Sequence, residues 1–223
     1  NIRGEMYMNQ HKEMYHTSHQ DRSKSNCYNT NHHSNSEGPY TEQGPTIFRS
    51  NYLLDFLGNP VIEGVQYQLA SPYDLSDRKQ PLPMNVASGW GANWLYTTPT
   101  PSSQYIPVKF SQYKFSSNYP IELGQMTWIQ VSSPDYNPQS SYLGPNITWG
   151  GVQLAPRGGE TNNEEWYPYY HSTNPSNNVN YFSFKNAYTD QYLRSLGPDK
   201  WAEADGVLGN NDTRFVLYRI LTP

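Results

Sequence analysis

The chain has 223 residues, and 15 Lys and Arg against 19 Asp and Glu give a formal net charge of −4. This acidic balance provides no basic surface for nucleic acid, and a mean hydropathy of −0.85 with no long apolar run argues against a membrane-spanning helix. The single cysteine, Cys27, excludes an intrachain disulfide and a cysteine-based zinc site. The chain begins at Asn1 without a charged-then-apolar leader, which predicts that a signal peptide is absent or already removed.

Residues 1–46 differ in composition from the rest of the chain. They contain five of the six histidines and few aliphatic residues, so they cannot bury enough apolar surface to offset the entropy of ordering them. The histidines are His11, His16, His19, His32 and His33. A zinc, nickel or copper site is the alternative, but no pair has the i, i+4 spacing of a helix. We therefore predict a polar, flexible arm that holds no metal, and we expect no cofactor elsewhere in the chain.

From residue 47 onward the chain shows short segments with a period of two. Alternating residues occupy 106–110, 127–131 and 215–220, which is typical of strands with one face buried. Clusters of Gly, Asn and Pro separate these segments and predict turns. Aromatic residues make up 15% of the chain, with 20 Tyr, and this excess favours a strand-and-loop protein over a helical bundle. Residues 47–223 are therefore predicted to form one all-β domain.

The stretch 53–69 predicts a hairpin. It reads Leu-Leu-Asp-Phe-Leu-Gly-Asn-Pro-Val over 53–61 and continues to Tyr-Gln-Leu at 67–69. An apolar strand would end at Asp55, the Gly-Asn-Pro turn would reverse the chain, and a second strand would carry Val65, Tyr67 and Leu69. The Asp55 carboxylate is placed to accept backbone N–H bonds within the turn.

This stretch resembles the signature of the Kunitz soybean-trypsin-inhibitor family. The matching residues are Leu53, Asp55, Gly58, Asn59, Val61, Tyr67 and Leu69. Leu57 departs from the pattern, because the family prefers a small polar or acidic residue there. The resemblance implies a β-trefoil, in which six hairpins are arranged with pseudo-threefold symmetry around a short barrel. The sequence 181–218 is similar to the closing strands of that family.

The resemblance also implies a serine protease inhibitor that acts through an exposed, substrate-like loop. The corresponding loop is 132–140, and its candidate contact residues are Ser132, Ser133, Pro134, Asp135, Tyr136, Asn137 and Pro138. Tyr136, or else Asp135, would enter the protease's specificity pocket, and a tyrosine there favours a chymotrypsin-like or subtilisin-like partner. Glu63 departs from the family, which often uses an Asn there to hold the loop. The alternative is that 132–140 is an ordinary surface loop.

A second hypothesis is a recognition module that binds glycans or a protein receptor, lectin-like or toxin-associated. Aromatic rings stack on the apolar faces of sugars while amides bond the hydroxyls, and this chain is rich in both. The candidate residues are Trp90, Trp94, Trp166, Tyr167, Tyr169 and Tyr170. The lectin repeat Gln-x-Trp does not occur in the chain, which disfavours the ricin-type form of this hypothesis.

An enzyme is the third hypothesis, and the sequence disfavours it. No Gly-x-Ser-x-Gly elbow occurs, and His171 is the only histidine after residue 46. Glu164 and Glu165 are adjacent and would point apart on a strand, so they do not form a catalytic pair. We therefore predict a protein that is not an enzyme. Its low lysine content and its high tyrosine and asparagine contents favour a secreted or extracellular location.

Overall fold

The computed structural model describes residues 50–72, 80–112, 118–158 and 163–221. The predicted arm over 1–46, with its five histidines and Cys27, lies outside these residues, so the proposed boundary at residue 47 stays a prediction. Within the described ranges, no helix is long and apolar enough to cross a membrane.

The described residues form an all-β structure, as the sequence predicts. The strands are β1 Gln66–Ser71, β2 Leu82–Gly89, β3 Ala92–Thr97, β4 Pro107–Ser111, β5 Thr127–Val131, β6 Tyr142–Pro145, β7 Val152–Ala155, β8 Glu165–Thr173, β9 Asn180–Asn186, β10 Tyr192–Ser195, β11 Lys200–Gly206 and β12 Val216–Arg219. Three of the predicted alternating segments coincide with β4, β5 and β12. Two short 3-10 turns, Pro138–Ser140 and Asn211–Thr213, interrupt the loops.

All twelve strands belong to one antiparallel sheet. The order along the sheet is β11-β10-β9-β8-β5-β4-β1-β2-β3-β7-β6, and β12 pairs with β1. Two further pairings, β11 with β3 and β5 with β6, connect the ends of this path back to strands in its interior. Strand β1 is consequently in contact with β2, β4 and β12, which makes it a central element of the fold.

Alternation along the strands places one set of side chains in a continuous core. On β4, Val108 and Phe110 are buried while Lys109 between them is half-buried. The Phe110 ring lies 6.2 Å from Tyr67 and stacks at 5.9 Å on Phe184, and Phe184 lies 6.1 Å from Phe215. The core therefore links strands β1, β4 and β9 with the residue that precedes β12.

Asp55 directs the predicted reversal of the chain. Its Oδ1 accepts hydrogen bonds from the N–H groups of Leu57 at 3.0 Å and Asn59 at 2.9 Å. Gly58 has a φ of +82°, which suits glycine because it lacks a Cβ. The Val61 N–H then donates to the Leu53 carbonyl at 2.8 Å, which closes the reversal.

The second half of this segment differs from the prediction. The strand around Tyr67 is the predicted partner of the first arm, but the chain returns beside Leu53 and Leu54 through Pro60 and Val61. A second turn follows, with Gly64 at a φ of +76°, and it sends the chain into β1. Tyr67 is fully buried and its Oη accepts a hydrogen bond from the Ile62 N–H at 2.9 Å, so this side chain supports the second turn.

Replacing the Asp55 carboxylate should destabilise the protein strongly. Asp55→Ala leaves the Leu57 and Asn59 N–H groups without their acceptor at a residue that is only 3% exposed. We expect the free energy of unfolding in urea to fall by about 2–4 kcal/mol. Asp135→Ala is the control, since Asp135 lies exposed on a loop and its replacement should cost less than about 0.5 kcal/mol. Equal losses in the two variants would contradict this role of Asp55.

Candidate functional site

The loop 132–140 lies between β5 and β6, and its tip faces solvent. Ser132 and Ser133 are half-buried, Pro134 and Asp135 are exposed, and so are the residues from 137 to 140. The protruding part of the predicted contact surface is therefore short and consists mainly of the Pro134-Asp135 pair and the following Asn137-Pro138 pair.

Neighbouring strands hold the start of the loop. The Gln66 Nε2 group on β1 donates to the Ser132 Oγ at 2.8 Å, and the Ser132 N–H donates to the Pro107 carbonyl on β4 at 2.7 Å. The first residue of the loop is thus fixed through both its side chain and its backbone.

The end of the loop is held in the same way. The Gln130 Nε2 group on β5 donates to the Pro138 carbonyl at 2.8 Å, and the Arg157 N–H donates to the Gln139 carbonyl at 3.3 Å. Arg157 itself is positioned by Trp128, because its guanidinium lies 3.9 Å from the centre of that ring. Both ends of the loop are therefore restrained by the sheet.

Within the loop the backbone makes two successive turns. The Tyr136 N–H donates to the Ser133 carbonyl at 3.3 Å, and the Asp135 N–H donates to the Ser133 Oγ at 3.3 Å. The Asn137 Oδ1 then accepts from the Gln139 N–H at 3.0 Å and starts the 3-10 turn. The backbone around Asp135 is therefore turned in the free protein.

Tyr136 is less accessible than the sequence suggested. Its side chain is half-buried and packs against the main hydrophobic core. This burial, together with the nearby Asp135 charge, raises the pKa of Tyr136 above the usual tyrosine value. Asp135 is the more exposed of the two candidates for a specificity pocket.

Glu63 stands where the family often uses an Asn to hold the loop, and here it lies in a buried site next to β4. It is buried, and its Oε1 accepts a hydrogen bond from the Gln112 N–H at 2.9 Å, just beyond the end of β4. The Gln66 side chain, from the first part of the domain, reaches the loop. No sequence pattern identifies Gln66, because its role depends on the β1–β4 pairing.

The six aromatic candidates for a ligand-binding surface have unequal exposure. Trp166 and Trp94 are buried, and their indole N–H groups donate to the Leu143 and Gly89 carbonyls at 2.7 and 2.6 Å. These two rings are core residues and offer no free face to a ligand. Of the remaining four, Tyr167 and Tyr169 are half-buried, whereas Tyr170 and Trp90 are exposed.

Trp90 is the most exposed of these rings and has an unusual backbone. It is 68% exposed and has a φ of +44° in the two-residue turn between β2 and β3. A side chain other than glycine in this region costs about 1–2 kcal/mol. Its ring lies 6.4 Å from Trp201, which also contacts Trp94 at 6.4 Å and Tyr96 at 5.9 Å. Trp201 was missed by the sequence analysis, and only the β3–β11 pairing brings it beside the turn.

His171 is held by neutral groups. Its Nδ1 lies 2.9 Å from the Ser172 Oγ and its Nε2 lies 3.1 Å from the Asn210 carbonyl oxygen. Burial lowers the pKa of His171. Over the ranges that the structure describes, no group of three or more His, Cys, Asp and Glu residues is placed to hold a metal ion.

Comparisons with known proteins match the fold. No family model and no curated protein matches the sequence. Among solved structures, the chain is similar to alocasin, a protease inhibitor from giant taro (Arum macrorrhizon), with a TM-score of 0.58 and 14% identity over 77% of this chain and 100% of that chain.

Two further solved structures have the same fold and different described roles. The rice (Oryza sativa) bifunctional α-amylase/subtilisin inhibitor has a TM-score of 0.55 and 11% identity over 76% of this chain and 98% of that chain. The water-soluble chlorophyll protein of Brassica oleracea var. Botrytis has a TM-score of 0.54 and 15% identity over 77% of this chain and 99% of that chain. The resemblance to the Kunitz-type inhibitors is thus confirmed at the level of the fold.

The packing of Tyr136 can be tested through stability. Tyr136→Ala removes a ring that packs against the core, and we expect the free energy of unfolding to fall by about 2 kcal/mol. Tyr188→Ala is the matched control, because this tyrosine is 49% exposed in the turn after β9, and its loss should cost less than about 0.5 kcal/mol. A Tyr136 variant as stable as the Tyr188 variant would show that the ring does not anchor the loop.

Proposed function

We propose that this protein inhibits a serine protease through the loop 132–138. The observation that carries the proposal is that an exposed tip is restrained at both ends by side-chain and backbone hydrogen bonds from the sheet. A loop whose two ends are restrained in this way loses less conformational entropy when it docks than a loop with free ends, because only its tip has to rearrange. The fold, which is shared with Kunitz-type protease inhibitors, supports the same role.

Two residues of the loop are candidates for the specificity pocket, and they imply different partners. Tyr136 suits a chymotrypsin-like or subtilisin-like protease, and it would have to leave its contact with the core to enter the pocket. Asp135 is already exposed and suits a protease with a basic pocket. In either case the turned backbone must open to the extended form that a substrate adopts, so binding selects a conformation that differs from the free one.

We also propose that the sheet has the threefold organisation of a β-trefoil. The described strands number twelve, the number that six hairpins require. Trp90-Gly91 and Trp149-Gly150 recur just before β3 and β7, and both tryptophans are about two-thirds exposed, at 68% and 66%. This recurrence is what related hairpins would produce.

A protease panel tests the inhibitor proposal. We expect the intact protein to inhibit chymotrypsin, subtilisin or an acidic-residue-specific serine protease, with trypsin and an α-amylase as further arms. Tyr136→Ala or Asp135→Ala, depending on which residue enters the pocket, should weaken inhibition at least tenfold, since residues at the centre of an interface dominate its affinity. Tyr188→Ala should leave the inhibition constant unchanged. Inhibition that survives both loop substitutions would show that the protease contacts a surface outside 132–138. No inhibition of any protease would contradict the proposal.

A glycan-recognition module is the second candidate, and the exposure of Trp90 favours it. The ring combines a free face with a strained backbone position, and such strain is often retained for function. Asn93 and Ser88 lie on the flanking strands and provide amide and hydroxyl groups, although their Oδ1 and Oγ atoms already share a hydrogen bond of 2.7 Å.

Binding to immobilised neutral oligosaccharides tests this second candidate. Trp90→Ala should abolish the signal, because it removes the stacking surface. Trp149→Ala is the matched control, since Trp149 is exposed to nearly the same extent at another turn. Equal binding by the two variants, or no binding by the intact protein, would argue against a sugar site at Trp90.

A further inference from the structure

A cavity of about 440 Å³ opens where the segment before β1 meets β4 and the end of β12. Its lining residues include Lys109 and Arg219 together with the apolar residues Val65, Ile220 and Leu221. The volume is in the range of small-molecule sites in proteins. Neither the loop 132–138 nor the Trp90 turn lines this cavity, so it is a separate feature of the molecule.

The cavity is electropositive although the protein as a whole is acidic. No Asp or Glu is among its lining residues. Glu63 precedes the lining residue Gly64 in sequence, but this carboxylate is buried and accepts a hydrogen bond from the Gln112 N–H. A ligand in the cavity would therefore lie near two cationic lining residues and near no acidic lining residue.

Most other basic side chains in the described part of the chain have partners. Lys185 pairs with Asp190, Arg194 pairs with three acidic residues, and Arg157 and Arg214 lie over aromatic rings. Lys109, Arg219 and Lys200 make no ion pair with a described residue. Two of these three cations line the same cavity. Among the residues that the structure describes, no carboxylate pairs with either of them, so both can bind an anion.

The sheet fixes the floor of the cavity. Gln66 lies opposite Lys109 in the β1–β4 register, and Tyr67 lies opposite Arg219 in the β1–β12 register. The Ile220 N–H donates to the Gln66 carbonyl at 3.0 Å, which ties the apolar side of the cavity to the same strand. The two cations thus flank one strand, and their backbone positions are set before any ligand arrives.

We propose that this cavity binds an amphipathic carboxylate, that is, a carboxylate attached to an aliphatic chain. The Lys109 ammonium and the Arg219 guanidinium would hold the carboxylate, because charge-assisted hydrogen bonds to these groups are strong. Val65, Ile220 and Leu221 would cover the aliphatic chain. Leu221 is 83% exposed, so covering it with an aliphatic chain removes apolar surface from water. This inference does not depend on the proposed inhibitory function.

The test uses the full chain and decanoate below its micelle concentration at neutral pH. Calorimetric titration should show saturable binding of one decanoate, and the amide resonances of residues 64–66 and 220–221 should shift in parallel in NMR spectra. Phosphate, which has the charge without the chain, and 1-decanol, which has the chain without the charge, should each bind at least about tenfold more weakly.

Substitutions of Lys109 and Arg219 test whether these two cations bind the carboxylate. Lys109→Gln and Arg219→Gln should each weaken decanoate binding about tenfold, since each removes one charge-assisted hydrogen bond. Lys200→Gln is the matched control, because Lys200 is exposed, makes no ion pair with a described residue and does not line the cavity. Far-UV circular dichroism of each variant verifies the fold, and Arg219→Lys, which keeps the charge, should restore part of the affinity if a Gln variant is destabilised.

The inference would be overturned by the absence of saturable decanoate binding, by equal binding by the Lys200 and Arg219 variants, or by binding of 1-decanol as tight as that of decanoate. The last result would show that only the apolar wall contributes. Phosphate binding as tight as that of decanoate would equally contradict an amphipathic ligand, because it would mean that the apolar residues contribute nothing.

Discussion

The carboxylate of Asp55 is the constraint on which the described structure depends most. It is buried and supplies the acceptor for two backbone N–H groups inside a five-residue reversal. This reversal brings Leu53 and Val61 together, and the Ile121 N–H then donates to the Val61 carbonyl while the Ile121 carbonyl accepts from the Leu53 N–H. A single side chain thus organises backbone from two distant parts of the sequence.

The same turn is attached to the end of the domain. The Phe56 N–H donates to the Leu217 carbonyl at 2.7 Å, and the Phe56 ring stacks on Tyr218 at 4.8 Å. Burial raises the pKa of Tyr218 to about 12. Because β12 in turn pairs with β1, the first turn and the last strand enclose the strand between them. The contacts of the Asp55 turn therefore help to hold β12 in its pairing with β1.

The sequence predicted what depends on local chemistry and missed what depends on pairing. The alternation of Val108 and Phe110 with Lys109 was enough to identify β4, since period-two burial is a local property. The partner of β1 was predicted wrongly, because Gly64 adds a second turn that no hydrophobic pattern reveals. Trp201 was missed for a similar reason, as it reaches the Trp90 turn only through the β3–β11 register. The sequence also did not predict which aromatic side chains are exposed, since Trp94 and Trp90 are the same residue type but Trp94 is buried and Trp90 is exposed.

The loop 132–138 and the cavity are separate surface features, but both depend on the position of Gln66. Its side-chain amide holds Ser132 at the start of the loop, and its carbonyl accepts the Ile220 N–H beside the cavity. Both bonds require that Gln66 stay opposite Lys109, so the β1–β4 register sets the position of the loop and of the cavity wall together. A one-residue slip of this register would turn Gln66 towards the core and Tyr67 away from it. The full burial of Tyr67 and its hydrogen bond with Ile62 oppose that slip, so the core residue Tyr67 secures the positions of both surface features.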